Sequence, residues 1–165
     1  MVRDRQAART RLLLVEDHEQ MARLMKCLLE ADGFEVRTAG TLAGARELAL
    51  NQRFDLILSD LGLPDGDALT LPAELARLYA GNGPGIGGRP AGACAVAHGA
   101  PPPPAIALSG YCTNEDVERS LGAGFVEHLI KPVDAEALTA TIRRVLAAVP
   151  HSAVEDEVER IPPAG

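Results

Sequence analysis

The chain has 165 residues, of which 47% are hydrophobic and 24% charged, and its formal net charge is −7. This length is that of one domain with a full core, and the hydrophobic content excludes global disorder. The acidic balance disfavours a groove built for nucleic acid, so no direct nucleic-acid binding is expected. Aromatic residues make up only 3% of the chain, so the core is expected to be aliphatic.

Cysteine and hydropathy patterns indicate a cytoplasmic protein. The three cysteines, Cys27, Cys94 and Cys112, show neither CxxC nor Cys/His ligand spacing, which argues against a disulfide scaffold or a structural zinc site. The N-terminus has no apolar signal region, and no run approaches the ~20 apolar residues of a membrane span. The sequence therefore predicts a soluble, cytoplasmic protein that does not contact a membrane.

Short apolar runs alternate with helical patterns along residues 11–149. Continuous apolar runs are typical of strands buried on both faces, as in a parallel sheet. Amphipathic stretches with three- and four-residue spacing separate these runs. Five alternations predict a doubly wound α/β domain. The predicted strands are Leu12–Val15, Phe34–Thr38, Leu56–Leu58, Ala105–Leu108 and Val126–Ile130.

Single residues mark the ends of the predicted helices. The first helix is expected to stop at Gly33, and Pro72 predicts a late start or a kink in the third. Thr113 and Asp116 form a variant capping box for the fourth helix, and Asp134 caps the fifth. The first helix is indicated by apolar residues that recur at three- and four-residue spacing, namely Met21, Leu24, Met25, Leu28 and Leu29.

Three segments fall outside this alternating pattern. Residues 1–10 form a basic arm and residues 150–165 an acidic tail, and both are expected to be disordered because they lack apolar periodicity. The segment Gly81–Pro104 has 24 residues, of which thirteen are Gly or Pro. It is predicted to be a flexible insertion that ends in a stiff polyproline spacer. A docking site for a proline-recognising partner is the alternative.

Polar side chains follow four of the predicted strands. Glu16 and Asp17 follow the first strand, Asp60 the third, Ser109 the fourth and Lys131 the fifth. In open α/β sheets, ligands bind at the shared edge formed by the carboxyl ends of the strands. Three carboxylates at that edge require a hard cation, and oxygen ligands favour Mg²⁺. A lysine and a hydroxyl beside it suit a phosphoryl group, which a carboxylate accepts as an acyl phosphate.

The motifs around these residues resemble those of receiver domains of two-component response regulators. The resemblance implies a flavodoxin-like fold, with a five-stranded parallel sheet in the order 2-1-3-4-5. The segments around Ser109 and Lys131 look most like receivers of hybrid sensor histidine kinases. The resemblance covers roughly residues 11–148 and rests on Leu13–Asp17, Asp55–Asp60, Leu63–Gly66, Leu108–Gly110 and Ile130–Pro132.

The resemblance also implies a phosphoacceptor and a metal site. Asp60 would receive the phosphoryl group from a partner's phosphohistidine. Glu16, Asp17 and Asp60, with the main-chain carbonyl of Gly62, would hold Mg²⁺ directly or through water.

Further roles follow from the resemblance. Lys131 would pair with the phosphoryl oxygens, and Ser109 would turn inward to hydrogen-bond the phosphoryl group. The bond between Lys131 and Pro132 would be cis. His128 lies where the family often has Tyr or Phe, and it is expected to be a half-exposed edge residue that contributes little to the switch.

The implied partner is a sensor histidine kinase or a histidine phosphotransfer protein, and a weak homodimer is left open. The domain would be a phosphoacceptor that assists its own phosphorylation and dephosphorylation, and not an enzyme. The 16 residues after Val149 are too few for a further module, so a stand-alone receiver or a receiver cut from a larger kinase is expected.

Two alternative functions are weighed against this one. A Mg²⁺-dependent phosphatase with an aspartyl nucleophile needs a second acid two residues later, where this chain has Gly62; Asp65 and Asp67 have that spacing but follow a loop. A phosphorylation-independent interaction module is disfavoured because no member of the polar set is missing.

Overall fold

The computed structural model describes residues 9–80, 101–110 and 113–149. Within them, the five strands of the main sheet alternate with five α-helices. The strands are β1 (Arg11–Val15), β2 (Glu35–Ala39), β3 (Leu56–Asp60), β4 (Ala105–Ser109) and β5 (Glu127–Ile130). The helices are α1 (Glu19–Ala31), α2 (Leu42–Asn51), α3 (Leu71–Tyr79), α4 (Asn114–Gly122) and α5 (Ala135–Ala148).

The main sheet is parallel throughout, and its strands lie in the order β2-β1-β3-β4-β5. This order confirms the predicted flavodoxin-like fold. The direction of winding reverses between β1 and β3, so the carboxyl ends of these two strands border the crevice in which such folds bind ligands.

Alternate side chains of the strands enter two separate cores, one on each face of the sheet. Leu13 and Ile57 pack with residues of α2 and α3 on one face. Leu12 and Leu58 pack with residues of α1 and α5 on the other. Because both faces are covered, the central strands contain the continuous apolar runs Leu12–Val15, Leu56–Leu58 and Ala105–Leu108.

Helix α1 ends as predicted. Gly33 has a φ of 94°, a left-handed conformation that favours glycine. Its N–H donates to the carbonyl of Glu30 at 3.1 Å, and the N–H of Phe34 donates to that of Leu29 at 3.2 Å. This Schellman arrangement satisfies carbonyls that the last turn of a helix leaves unpaired.

The apolar periodicity correctly indicated helix α1, but only part of the apolar set is buried. Met25 and Leu29 are buried, together with Ala22, but Met21, Leu24 and Leu28 are exposed. The apolar residues span a wider arc of the helix than the single face that a sheet covers. Periodicity alone could not show which edge of this arc faces the sheet.

The other helix ends agree with the sequence interpretation. Pro72 is the second residue of α3, which starts at Leu71 after a short 3-10 turn at Ala68–Thr70. The capping box of Thr113 and Asp116 is present at α4. The Asp134 carboxylate accepts a hydrogen bond from the N–H of Ala137 at 3.2 Å, which caps α5.

The last residue of the predicted insertion contacts the sheet. Pro104, assigned above to a polyproline spacer, has a carbonyl that accepts a hydrogen bond from the N–H of Ile57 at 2.9 Å. This residue therefore extends the pairing between β3 and β4. Residues 81–100 of the insertion, residues 1–8 of the basic arm and the whole acidic tail lie outside the described residues. No helix in the described part of the chain is long and apolar enough to cross a bilayer.

Candidate functional site

Backbone hydrogen bonds just past the strands hold the predicted site residues at one edge of the sheet. The N–H of Glu16 donates to the carbonyl of Ala39 at 2.9 Å, and that of Lys131 donates to Ser109 at 2.8 Å. Each bond continues a strand pairing by one residue, so the backbone positions of Glu16 and Lys131 are fixed relative to the sheet. The sheet therefore brings together the polar residues that the sequence analysis selected.

The Lys131 ammonium joins two carboxylates at this edge. Its Nζ donates to Glu16 Oε2 at 2.6 Å and to Asp60 Oδ2 at 2.7 Å. Glu16 is only 3% exposed, so its charge would be costly without this partner. Burial lowers the pKa of Lys131, but the hydrogen bonds to Asp60 and Glu16 outweigh it, so the pKa lies above its ordinary value. The ammonium is therefore charged at neutral pH.

The three predicted metal-binding carboxylates form one cluster. Glu16, Asp17 and Asp60 each offer an oxygen, and the three oxygens lie within 4.8 Å of one another. Three carboxylates and the one ammonium of Lys131 leave a formal charge of −2. Grouped carboxylate oxygens are the hard ligands that Mg²⁺ prefers, so the chemistry of this cluster suits that ion.

Asp60 has both carboxylate oxygens engaged. Oδ2 accepts from Lys131, and Oδ1 accepts from the N–H of Gly62 at 3.0 Å. Gly62 and Ser109 line the same cavity as Asp60 and Lys131, and Ser109 is buried at the end of β4. The peptide bond between Lys131 and Pro132 is cis, the conformation that the resemblance implies. The roles of these residues in phosphoryl transfer and metal binding stay predictions.

The two acids weighed for a phosphatase have structural partners. The Asp65 carboxylate accepts from the N–H groups of Leu42 and Ala43, at 2.9 and 3.0 Å, and so caps α2 from outside that helix. Asp67 accepts from the N–H of Leu69 at 3.0 Å and caps the 3-10 turn. The sequence analysis missed the capping role of Asp65, because its partners lie 22 and 23 residues earlier in the chain.

Helix α4 contributes to the site in a way that the sequence did not reveal. Thr113, Asp116 and Arg119 line the cavity that contains Asp60. The sequence analysis interpreted Thr113 and Asp116 only as a helix start and did not consider Arg119, although a spacing of three residues places side chains along one side of a helix.

His128 is a partly buried residue on the edge strand β5, as the sequence analysis expected, and it also makes a contact that the sequence did not reveal. Its Nδ1 lies 2.7 Å from Oγ of Ser120, a fully buried residue of α4. Ser120 Oγ donates to the carbonyl of Val117 at 2.9 Å, so it accepts the proton of His128 Nδ1. His128 Nε2 is buried without a hydrogen-bond partner among the described residues. His128 therefore links β5 to α4.

Comparisons with known proteins agree with this fold. The family model of the response regulator receiver domain matches residues 12–86. The crystal structure of a CheY-like response regulator receiver domain protein from Methanospirillum hungatei is 26% identical, with a TM-score of 0.67, covering 85% of this chain and 95% of that one. The chain belongs to the response regulator receiver family. It is a receiver domain of the kind found in two-component systems.

Curated relatives of this receiver are response regulators. The KDP operon transcriptional regulatory protein KdpE of Escherichia coli is 32% identical over 83% of the receiver chain and 51% of its own length. The response regulator protein PilR of Pseudomonas aeruginosa is 26% identical over 84% of this chain and 26% of its own. The receiver thus spans about half, or less, of these relatives. The narrower likeness to hybrid-kinase receivers stays a prediction.

Proposed function

We propose that this receiver is a Mg²⁺-dependent phosphoacceptor of a phosphorelay. Asp60 would take the phosphoryl group from a phosphohistidine of a sensor histidine kinase or a histidine phosphotransfer protein in the cytoplasm. The modified domain would then present a changed surface to its next partner. The observation that supports this proposal is the position of Asp60, which shares one ammonium with Glu16 inside a three-carboxylate cluster.

The transfer itself needs little beyond charge and position. A carboxylate oxygen of Asp60 forms the new P–O bond while the P–N bond of the phosphohistidine breaks. The electron pair of that bond leaves with the imidazole, which takes a proton from water. This step turns a carboxylate into an acyl phosphate, so Lys131 loses one carboxylate partner and can bond a phosphoryl oxygen instead. The Ser109 hydroxyl lines the same cavity and can donate to another.

The carboxylate cluster would hold the metal ion. Glu16 has one oxygen on Lys131, and its Oε1 accepts from the N–H of His18 at 3.1 Å. Asp17 is exposed and so is open to an ion from solvent. We therefore expect Asp17 to be the most accessible ligand, and Glu16, Asp60 and the main-chain carbonyl of Gly62 to hold the ion directly or through water. Bound Mg²⁺ supplies positive charge to the phosphoryl oxygens in the transition state.

Intact-mass measurement of the purified protein with acetyl phosphate tests the proposal. With Mg²⁺ the protein should gain one phosphoryl group, and with a chelator it should gain none. Asp60→Asn should abolish the gain. Asp67→Asn is the matched control, because Asp67 lines the same cavity and Asn also caps helices well. Stoichiometric modification of the Asp60→Asn protein would refute the proposal.

A further inference from the structure

The cavity beside Asp60 has a wall of mixed charge. Its volume is about 770 Å³, and α4 forms one side. Among the described residues that line it, Asp60, Asp67 and Asp116 carry negative charge, and Lys131 and Arg119 carry positive charge. Because Lys131 is already bonded to two carboxylates, its charge is largely compensated within the site. Of these two cations, Arg119 forms the longer ion pair.

Arg119 is held near the cavity without being neutralised at close range. Its Nη1 lies 3.9 Å from Asp116 Oδ1, and its side chain is 64% exposed. An exposed ion pair at this distance is weak. Asp116 in turn is fixed, because Thr113 Oγ1 donates to its Oδ2 at 2.6 Å. Asp116 therefore lies beside the guanidinium but pairs with it only weakly, which leaves most of its five donors open to an incoming anion.

The formal charge of the site around Asp60 indicates what Arg119 could do there. The carboxylate cluster and Lys131 have a formal charge of −2, which the Mg²⁺ of the proposed function would bring to zero. The cluster therefore gives no net attraction for a small dianionic phosphodonor, and Arg119 adds a cation that does. A guanidinium matches the geometry of phosphate oxygens and can bind two of them. We infer that Arg119 is a specificity-determining residue that recruits dianionic small-molecule phosphodonors, such as acyl phosphates, to the cavity beside Asp60. This inference rests on the proposed function.

Steady-state kinetics with two donors of different charge test the inference. Arg119→Gln should raise KM for dianionic acetyl phosphate by about three- to tenfold and leave kcat within about twofold. The rise in KM should be smaller with phosphoramidate, which is mainly a monoanion at neutral pH. Arg119→Lys should restore part of the loss. Added salt should reduce the difference between wild type and Arg119→Gln, because it screens exposed charges.

Arg37→Gln is the matched control. Arg37 is 55% exposed, pairs with Glu35 at 3.7 Å, and lies on β2 at the opposite side of the sheet from α4 and β5. The Arg37→Gln substitution removes the same charge from a similar exposed pair far from the cavity. It should therefore leave the KM values for acetyl phosphate and phosphoramidate unchanged. Equal effects of the Arg37 and Arg119 variants, equal effects on the two donors, or a fall in kcat alone would overturn the inference.

A binding measurement separates this inference from the proposed function. In the Asp60→Asn protein with Mg²⁺, inorganic phosphate should shift amide NMR signals of α4, and Arg119→Gln should weaken that binding several-fold. If wild type gains no phosphoryl group but this result holds, the proposed function fails and the role of Arg119 in anion binding stands. Unchanged phosphate binding in the Arg119 variant would overturn that role whatever the phosphorylation result.

Discussion

At the scale of single residues, Lys131 is the side chain that compensates the negative charge of Glu16 and Asp60. It is the ammonium between Asp60 and the buried Glu16, and its side chain is 21% exposed. A carboxylate buried as deeply as Glu16 is unfavourable without a cation. In the absence of a metal ion, Lys131 therefore permits two neighbouring carboxylates to be charged together.

We predict that Lys131→Met destabilises the protein by about 2–4 kcal/mol in a chelator, because it leaves paired carboxylates without their donor. Mg²⁺ should recover a substantial part of that loss by replacing the missing charge, although phosphorylation should fall sharply. Urea unfolding with and without Mg²⁺ measures both effects. The control is Lys26→Met, which removes an exposed lysine paired with Glu30 at 3.7 Å. Equal destabilisation of the Lys131 variant in both buffers would contradict this prediction.

The hydrogen bond between His128 and Ser120 is the second residue-scale feature. We predict a coupling energy of about 0.5–1.5 kcal/mol between the two side chains in a double-mutant cycle of Ser120→Ala and His128→Ala. Ser120→Ala alone should be the informative variant, because it leaves His128 Nδ1 without its acceptor. Unfolding free energies of the four proteins give the coupling directly. A value near zero would mean that the contact does not stabilise the packing of α4 on β5.

At the scale of elements, Asp65 ties the loop after β3 to the start of α2. Hydrogen bonds from Ala43 and Leu42 lower the pKa of Asp65 below its ordinary value. A carboxylate with a lower pKa in the folded state stabilises the protein above its unfolded-state pKa. That stabilisation is lost as the pH falls through the folded-state pKa.

We predict that Asp65→Asn lowers the melting temperature at pH 7, because Asn has one acceptor oxygen and no charge to place at the N-terminus of α2. The difference between variant and wild type should begin to narrow below about pH 4, the ordinary pKa of an aspartate in the unfolded chain. It should close as the pH falls through the lower folded-state pKa of Asp65, where the wild-type carboxyl also becomes neutral. Thermal unfolding over a series of pH values checks this. A difference that is constant with pH would show that the charge of Asp65 has no part in the cap.

At the scale of the whole molecule, some features of the fold and site could be predicted from the sequence and others could not. The parallel sheet follows from apolar runs buried on both faces, and the site follows because the carboxyl ends of those strands share an edge. Local signals such as Gly33 and the Thr113 capping box also specified helix ends correctly. The buried side of α1 and the cap formed by Asp65 could not be predicted, because both depend on contacts between residues distant in sequence. Arg119 was missed for the same reason.

The segment between α3 and β4 provides a prediction about the whole domain. We predict that replacing residues 82–100 with a short Gly/Ser turn changes the unfolding free energy by only about 0.6 kcal/mol for each halving of loop length. Pro101–Pro104 should be retained, because the Pro104 carbonyl pairs with Ile57. Urea unfolding measures the change. A loss of more than about 2 kcal/mol would show that the replaced residues stabilise the domain.

The account depends most on the claim that Asp60 is the residue that receives the phosphoryl group. Borohydride reduction of the acetyl phosphate-treated protein converts an aspartyl phosphate to homoserine, and peptide mass spectrometry then locates the changed residue. We predict homoserine at position 60 in the sample prepared with Mg²⁺ and unchanged aspartate there in the sample prepared with chelator. Homoserine at position 17 or 67 with Asp60 unchanged would contradict the account.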